Sequence, residues 1–260
     1  MTGAARGQGR AEALLLAEEG ADVIGIDVCA PLPTTAYPPS TPEDLAETAR
    51  LVEAQGRRFV AAQVDVRDYA ALEHAVADGV ARLGRLDVVV ANAGISAWGR
   101  VWELTPEEWQ VMIDINLTGV WNTLRTTIPL MIEQGEGGSI IITSSVGGLK
   151  ALPGQAHYVA AKHGLVGLTR AAAVELGPHN IRVNSIHPWG VDTPMGGGRH
   201  HVDALVAQSP SYGISYSAPL ASPRVATPRD IALTVLYLAS DESRCVTGTQ
   251  LPVDMGATKV

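Results

Sequence analysis

A tyrosine and a lysine four residues apart, in "YVAAK" (158–162), are where chemistry is most legible in this sequence. On a helix that spacing sets Tyr158 and Lys162 one above the other on one face. An ammonium so placed, together with a cofactor's positive charge nearby, favours phenolate and turns a phenol of pKa ~10 into a usable proton acceptor. Lowering that pKa by two to three units corresponds to roughly 3–4 kcal/mol. Ser145 lies thirteen residues upstream, closing the run "IIITSS", and Asn116 lies within "EEWQVMIDINLTGVW". A tyrosine–lysine pair alone arises by chance in many helices. A strand-terminal serine at this distance, with "NAG" at 92–94, is hard to reach by coincidence. A proton-exchanging phenol, a cation beside it and a hydroxyl aimed at a developing oxyanion suit interconversion of a carbinol and a carbonyl.

Such a reaction needs a hydride carrier, and the amino-terminal segment offers a place for one. In "TGAARGQG" (2–9), Gly3, Gly7 and Gly9 permit a tight turn that brings backbone N–H groups to a pyrophosphate at a helix start, with Arg6 and Gln8 beside it. The spacing is not G-x-G-x-x-G, and an ordinary flexible terminus would read the same way. Asp27 supports the site. It closes an apolar run 24 positions after Gly3, next to Val28, where a carboxylate accepts both ribose hydroxyls and repels a 2′-phosphate. Arg6 pulls toward the phosphorylated cofactor, but like-charge repulsion at Asp27 outweighs that pull, so the expectation is NAD.

Alternating β-branched and amphipathic stretches must position these groups. Strands are expected over 21–28, 58–66, 86–94, 138–145 and 181–188, with an edge strand near 249–256. Helices are expected over 10–19, 43–55, 68–83, 105–134, 156–176 and 228–240. Three of them start with Thr-Pro followed by acids, in "TPEDL", "TPEEW" and "TPRDI". The alternation implies an α/β fold, a doubly wound parallel sheet in a Rossmann-like three-layer single domain spanning 1–260, with ligands beyond the carboxyl ends of the strands. Two stretches break the rhythm and read as long loops. One is the proline-rich "CAPLPTTAYPPSTP" (29–42), either an ordered cover or a disordered surface loop. The other is 195–223, read as a lid over the substrate.

Composition narrows the class. With 260 residues, 46% hydrophobic and net charge −8, the chain is ample for such a core, and its acidity argues against nucleic acid or an anionic membrane as partner. No apolar run reaches the ~20 residues of a membrane span. Two distant cysteines, Cys29 and Cys245, and no signal peptide point to a reduced, cytoplasmic protein. No metal site is expected. His157, His163, His200 and His201 lack partners at ligand spacing and read as satisfied or solvated. Trp98, Trp102, Trp189 and Tyr212 are candidate pocket walls, Trp98 foremost.

Over essentially its whole length the sequence resembles the short-chain dehydrogenase/reductase family. The segment 2–9 is similar to its cofactor turn, Asp65 and Val66 to its adenine-side "DV", and Asn92, Ala93 and Gly94 to its "NAG". Asn116, Ser145, Tyr158 and Lys162 are similar to its catalytic tetrad. "HPWGVDTPM" (187–195) resembles the segment over the nicotinamide, implying contacts from Pro188, Val191 and Thr193, although Trp189 stands where the family commonly has glycine. The resemblance implies hydride transfer with NAD, Tyr158 as acid or base, Lys162 also on the nicotinamide ribose, Ser145 on the substrate oxygen, and Asn116 anchoring a water that links Lys162 to solvent. It implies a homotetramer as well. It further implies an apolar first strand ahead of the glycine turn, so that strand is expected to be truncated at Met1, leaving neighbouring edges unpaired. The insertion after Asp27, joined to "TPEDLAET", and the tail "TQLPVDMGATK" resemble the mycofactocin-associated branch that includes carveol dehydrogenase-like enzymes. That implies a small hydrophobic secondary alcohol, terpenoids among the candidates, and a covered NAD reoxidised by mycofactocin. A 3-oxoacyl carrier-protein reductase-type ketoreductase and a non-catalytic NAD-binding scaffold are the alternatives.

Overall fold

A computed structural model describes residues 1–260, the side chains at 197 and 199 excepted. Strands β1 (Val23–Asp27), β2 (Phe59–Gln63), β3 (Val88–Ala91), β4 (Gly138–Thr143), β5 (Ile181–Pro188) and β6 (Gln250–Val253) are all parallel. β1 pairs with β2, and β3 to β6 follow in order. Between the two groups lies the amino-terminal segment. Thr2 bridges Ile26 on one side and Ala91 on the other. Ile26 N–H donates to Met1 O, Ala4 N–H to Ile26 O, and Thr2 N–H to Val90 O. The sheet is therefore joined at its carboxyl end, where the cofactor turn leaves it.

Alternation along the strands sends successive side chains to opposite layers. Ile140 and Ile142 of β4 pack with α5 (Gly119–Gln134) and α6 (Ala156–Leu176), whereas Ile141 packs with α8 (Pro228–Ala239). Ile24 and Ile26 of β1 pack on α3 (Tyr69–Leu83), and Val23 on α1 (Gly7–Glu18) and α2 (Pro42–Glu53). This is the doubly wound three-layer arrangement expected from the alternation. The Thr-Pro starts form as read: Thr41, Thr105 and Thr227 each close a capping box, with Asp44, Glu108 and Asp230.

Two elements differ from expectation. The helix expected over 105–134 is interrupted. α4 (Pro106–Ile113) ends in a π-helical turn at Asp114–Thr118 before α5 begins. Asn116 causes the offset, since its side chain accepts from Ile95 N–H at 2.7 Å and donates to Ile95 O at 2.8 Å, fixing the helix to the loop after β3. The 195–223 stretch is not all loop: it holds α7 (Arg199–Gln208) and a 3₁₀ turn at Pro210–Tyr216. α7 forms by docking, with Leu205 against Gly154 and the Gly198 backbone against the Trp98 ring. Those tertiary contacts outweigh a weak apolar period.

A buried carboxylate lies behind the amino-terminal segment. Glu12 is fully buried with both oxygens unpartnered, and burial pushes its pKa up to about 8. The Met1 amine, donating to Ile24 O, is pushed down to about 6 by the same cause. From about pH 4.5 to 6 the unfolded chain holds fewer protons than the native one at Glu12, so stability falls as pH rises. From 6 to 8 the amine has the opposite slope and cancels it. Glu12→Gln should abolish the first fall and leave a rise between pH 6 and 8 of at most about 1.4 kcal/mol per pH unit. Melting curves of both proteins at pH 5, 6 and 8 check this.

Candidate active site

The strands end on a single cavity of about 1150 Å³, walled by the loops that follow β1, β2, β3, β4 and β5 and roofed by the 189–225 region. At one end the glycine turn passes close beneath the loop after β3. A Cβ on Gly3, whose φ is +70°, would lie 2.9 Å from Asn92 Nδ2 and 3.0 Å from Ala93 Cα. Gly9 does not line the cavity. It packs so tightly behind the turn that a Cβ would fall 2.0 Å from Gly3 O. Gly3 and Gly7 line it with Arg6 and Gln8, and the first N–H groups of α1 follow.

Asp27, at the end of β1, accepts from Ala5 N–H at 3.0 Å, from Cys29 N–H at 3.1 Å and from Ser40 Oγ at 2.7 Å. These donors fix the carboxylate on the cavity wall beside Val28. Asp65 and Val66 line the same end, Asp65 in a two-pronged pair with Arg67. The Pro-rich segment runs across this region as a strap. Arg6 donates to Pro38 O, Ser40 holds Asp27, Leu32 packs among Val66, Ile95 and Tyr158, and Tyr37 Oη accepts from Ser96 N–H. The 29–42 segment thus lies along the cavity, in contact with Arg6, Asp27 and Ser96. A slot with a glycine-lined turn at a helix start and a fixed carboxylate fits a dinucleotide without 2′-phosphate.

Ser145, Tyr158 and Lys162 meet at the other end. Ser145 follows β4, and Tyr158 and Lys162 project from α6. Lys162 is buried, with Nζ 2.8 Å from Thr143 O and 5.7 Å from the Tyr158 ring centre. Ser145 Oγ caps the following turn by accepting from Gly147 N–H at 3.1 Å. Burial pushes the Tyr158 phenol up to about 12; a hydrogen bond with Ser145 opposes this and Tyr37 reinforces it. Burial pushes Lys162 down to about 7. The ammonium is desolvated and bonded to a backbone carbonyl, so the protein alone favours neutral phenol, and phenolate needs further positive charge in the cavity.

Asn116 lies beside the site but not on the cavity wall. Its amide is engaged by the Ile95 peptide groups, so the side chain anchors the loop, and a Cβ on Gly94 would be 2.9 Å from Asn116 Oδ1 and 3.6 Å from Lys162 Nζ. Pro188, Val191 and Thr193 line the cavity after β5. Trp98 and Trp189 line it with Tyr216, and Trp98 stacks on His201 at 5.1 Å. Trp102 and Tyr212 do not; they border a separate outer groove with Arg100 and His163. His157 is neither satisfied nor solvated. It is fully buried with both ring nitrogens unpartnered, because the tyrosine's helix packs it inward beside α4.

His187 is a site residue that the sequence reading missed. Fully buried on β5, it reaches Ser145 O through Nδ1 at 2.7 Å and Ser185 Oγ through Nε2 at 2.9 Å. A carbonyl only accepts, so Nδ1 carries the proton and Nε2 accepts from Ser185. Burial holds its pKa down at about 4, which keeps that tautomer through the neutral range. The signal was present in "NSIHP", where a polar pair at i, i+2 interrupts a buried strand.

A parallel sheet carrying a glycine turn, a strand-end acid and a serine, tyrosine and lysine around one cavity defines a dinucleotide-dependent oxidoreductase of the doubly wound class. The chain belongs to the short-chain dehydrogenase/reductase family: the family model described as enoyl-(acyl carrier protein) reductase matches residues 3–258. It is 53% identical to an NAD-dependent oxidoreductase of Mycobacterium tuberculosis, over 100% of this chain and 94% of that one. Among solved structures, a short-chain dehydrogenase from Mycobacterium paratuberculosis bound to NAD matches with TM-score 0.97 at 52% identity, covering 100% of this chain and 97% of that one. Carveol dehydrogenase from Mycobacterium avium in complex with NAD matches with TM-score 0.93 at 50% identity, covering 100% and 96%. Among the described residues no helix is long and apolar enough to cross a membrane, and no three His, Cys, Asp or Glu side chains cluster as metal ligands.

Proposed function

We propose that this chain oxidises small hydrophobic secondary alcohols, terpenoid carbinols of the carveol type among them, reversibly to ketones. The chain is an NAD-dependent oxidoreductase. When bound, NAD supplies the hydride acceptor and a positively charged ring. Tyr158 takes the carbinol proton in oxidation and returns it in reduction. Ser145, held by His187 through its carbonyl, donates to the substrate oxygen. Lys162 holds the nicotinamide ribose and adds charge beside the phenol, and Asn116 fixes the loop that carries Gly94. Asp27 holds the adenosine ribose, with the glycine turn, Asp65, Val66 and the 92–94 loop along the dinucleotide and Pro188, Val191 and Thr193 over its nicotinamide end.

The observation that carries this reading is the pairing of Ser145 and Tyr158 with an apolar roof of Trp98, Trp189 and Tyr216, which suits an uncharged, compact substrate. The likeness to carveol dehydrogenase supports the same class. The strap formed by 29–42 supports slow NAD exchange, with mycofactocin as the acceptor that reoxidises it, in a cytoplasmic enzyme working as one domain. Exposed Trp109 and Trp121 on α4 and α5 support assembly as a homotetramer. A ketoreductase acting on carrier-protein thioesters is the second reading, favoured by the description of the matching family model. Native mass spectrometry followed by an alcohol panel separates them. Co-purified NAD and alcohol turnover only with an artificial electron acceptor are expected; free exchange with a preference for NADPH would instead establish the ketoreductase.

A further inference from the structure

The proton and hydride chemistry uses Ser145, Tyr158 and Lys162, yet the same cavity carries a second polar group that it leaves unused. Gln155, buried one residue ahead of α6, donates through Nε2 to Ser96 Oγ at 2.9 Å. The Ser96 N–H in turn reaches Tyr37 Oη at 3.3 Å. All three residues line the cavity with Tyr158. Ser96 is thus held from both sides, its main chain by the strap and its side chain by α6. Among the described residues, the Ser96 hydroxyl proton has no protein acceptor and Gln155 Oε1 has no protein donor. The Ser96 hydroxyl proton and Gln155 Oε1, with the second Gln155 Nε2 proton and the Tyr37 hydroxyl proton beside them, are left in a cavity also lined by Trp98, Leu152, Trp189 and Tyr216.

Gln155 precedes Tyr158 by three residues, about one helical turn or ~5 Å along the axis. A substrate oxygen bonded at Ser145 and Tyr158 therefore leaves a second oxygen a few bonds away within reach of Ser96 and Gln155. The charge of that second group is decided by its neighbours. Of the cavity's cations, Arg6 is bonded to Pro38 O, Lys162 to Thr143 O, and Arg224 stands on the exposed rim. Ser96 and Gln155 offer neutral donors and a neutral acceptor, which match hydroxyl or carbonyl and leave a carboxylate without a counter-ion.

We propose that Ser96 and Gln155 form a second hydrogen-bonding subsite selecting alcohols and ketones that bear a further uncharged oxygen on a small apolar skeleton. The inference rests on the alcohol-oxidising reading above. An analogue lacking that oxygen strands buried polar groups, which is how a site of this kind discriminates. The test uses the enzyme as purified with its NAD and an artificial acceptor, comparing cyclohexanol, trans-1,2-cyclohexanediol and 2-hydroxycyclohexanecarboxylate. The diol is expected to exceed cyclohexanol at least tenfold in kcat/KM, mainly through KM. Ser96→Ala and Gln155→Leu are each expected to bring that ratio toward one. A second measurement covers variants that do not fold: quenching of reduced nicotinamide fluorescence in the wild type by 2-hydroxycyclohexanone against cyclohexanone, with tighter binding of the hydroxyketone expected. Turnover of both alcohols at equal efficiency, equal quenching by the two ketones, a preference for the carboxylate, or folded variants with an unchanged ratio would overturn the subsite while leaving the alcohol reading intact. Absence of turnover with every alcohol would overturn both.

Discussion

Tyr158→Phe is expected to lower alcohol turnover by about a thousandfold while leaving NAD binding intact, because the substitution removes one oxygen from the cavity wall and with it the proton acceptor. The protein's own groups hold that phenol up at about 12, chiefly by burial. Oxidation by the wild type should therefore accelerate as pH rises through the neutral and mildly alkaline range, since each unit below the operative pKa removes about nine-tenths of the phenolate. Residual turnover by the phenylalanine variant should lose that slope. Steady-state rates from pH 6 to 10, with NAD content measured on the same samples, check both parts. A variant that keeps its rate would show that the proton leaves by another route and would favour the scaffold reading of this chain.

Much of this site was legible because its signals are local. Tyr158 and Lys162 announce themselves through helical spacing, Asp27 through its place at the end of an apolar run, and the three Thr-Pro starts through a capping chemistry complete within four residues. What stayed hidden depends on elements distant in the chain. His187 gains its role only because β5 pairs with β4, which brings its ring under the Ser145 carbonyl. Ser96 and Gln155 meet across 59 residues, and Tyr37 joins them from the strap. The π-turn at Asn116 answers to the Ile95 backbone rather than to its own helix period. α7 carries too few apolar residues to announce itself, and it exists because Gly154 and Gly198 leave room for Leu205 and Trp98 to close on one another. The burial that acts on the phenol was hidden for the same reason. Spacing places a cation near Tyr158, but only the packed structure shows that the cation is itself desolvated and bonded to Thr143 O.

That desolvation makes Lys162 a group whose function works against stability. Its ammonium is buried with one backbone carbonyl for a partner, and its pKa falls from the usual lysine range to about 7. Between pH 7 and about 10.5 the unfolded chain holds a proton at this position that the native chain has released, so native stability rises with pH across that window. The gain is at most about 1.4 kcal/mol per pH unit and of order 4–5 kcal/mol in all. Lys162→Met keeps the apolar stem without the charge, so in dinucleotide-free protein it should melt several degrees higher than the wild type at pH 7. The two should converge as pH approaches 10. The same variant should lose at least a hundredfold in turnover, because the amine that the site spends stability to bury is the one packed beside the Tyr158 phenol. Thermal melts of both proteins at pH 7 and 9.5, paired with initial rates, check the trade. A methionine variant that melts lower at pH 7 would mean the bond to Thr143 outweighs the burial penalty.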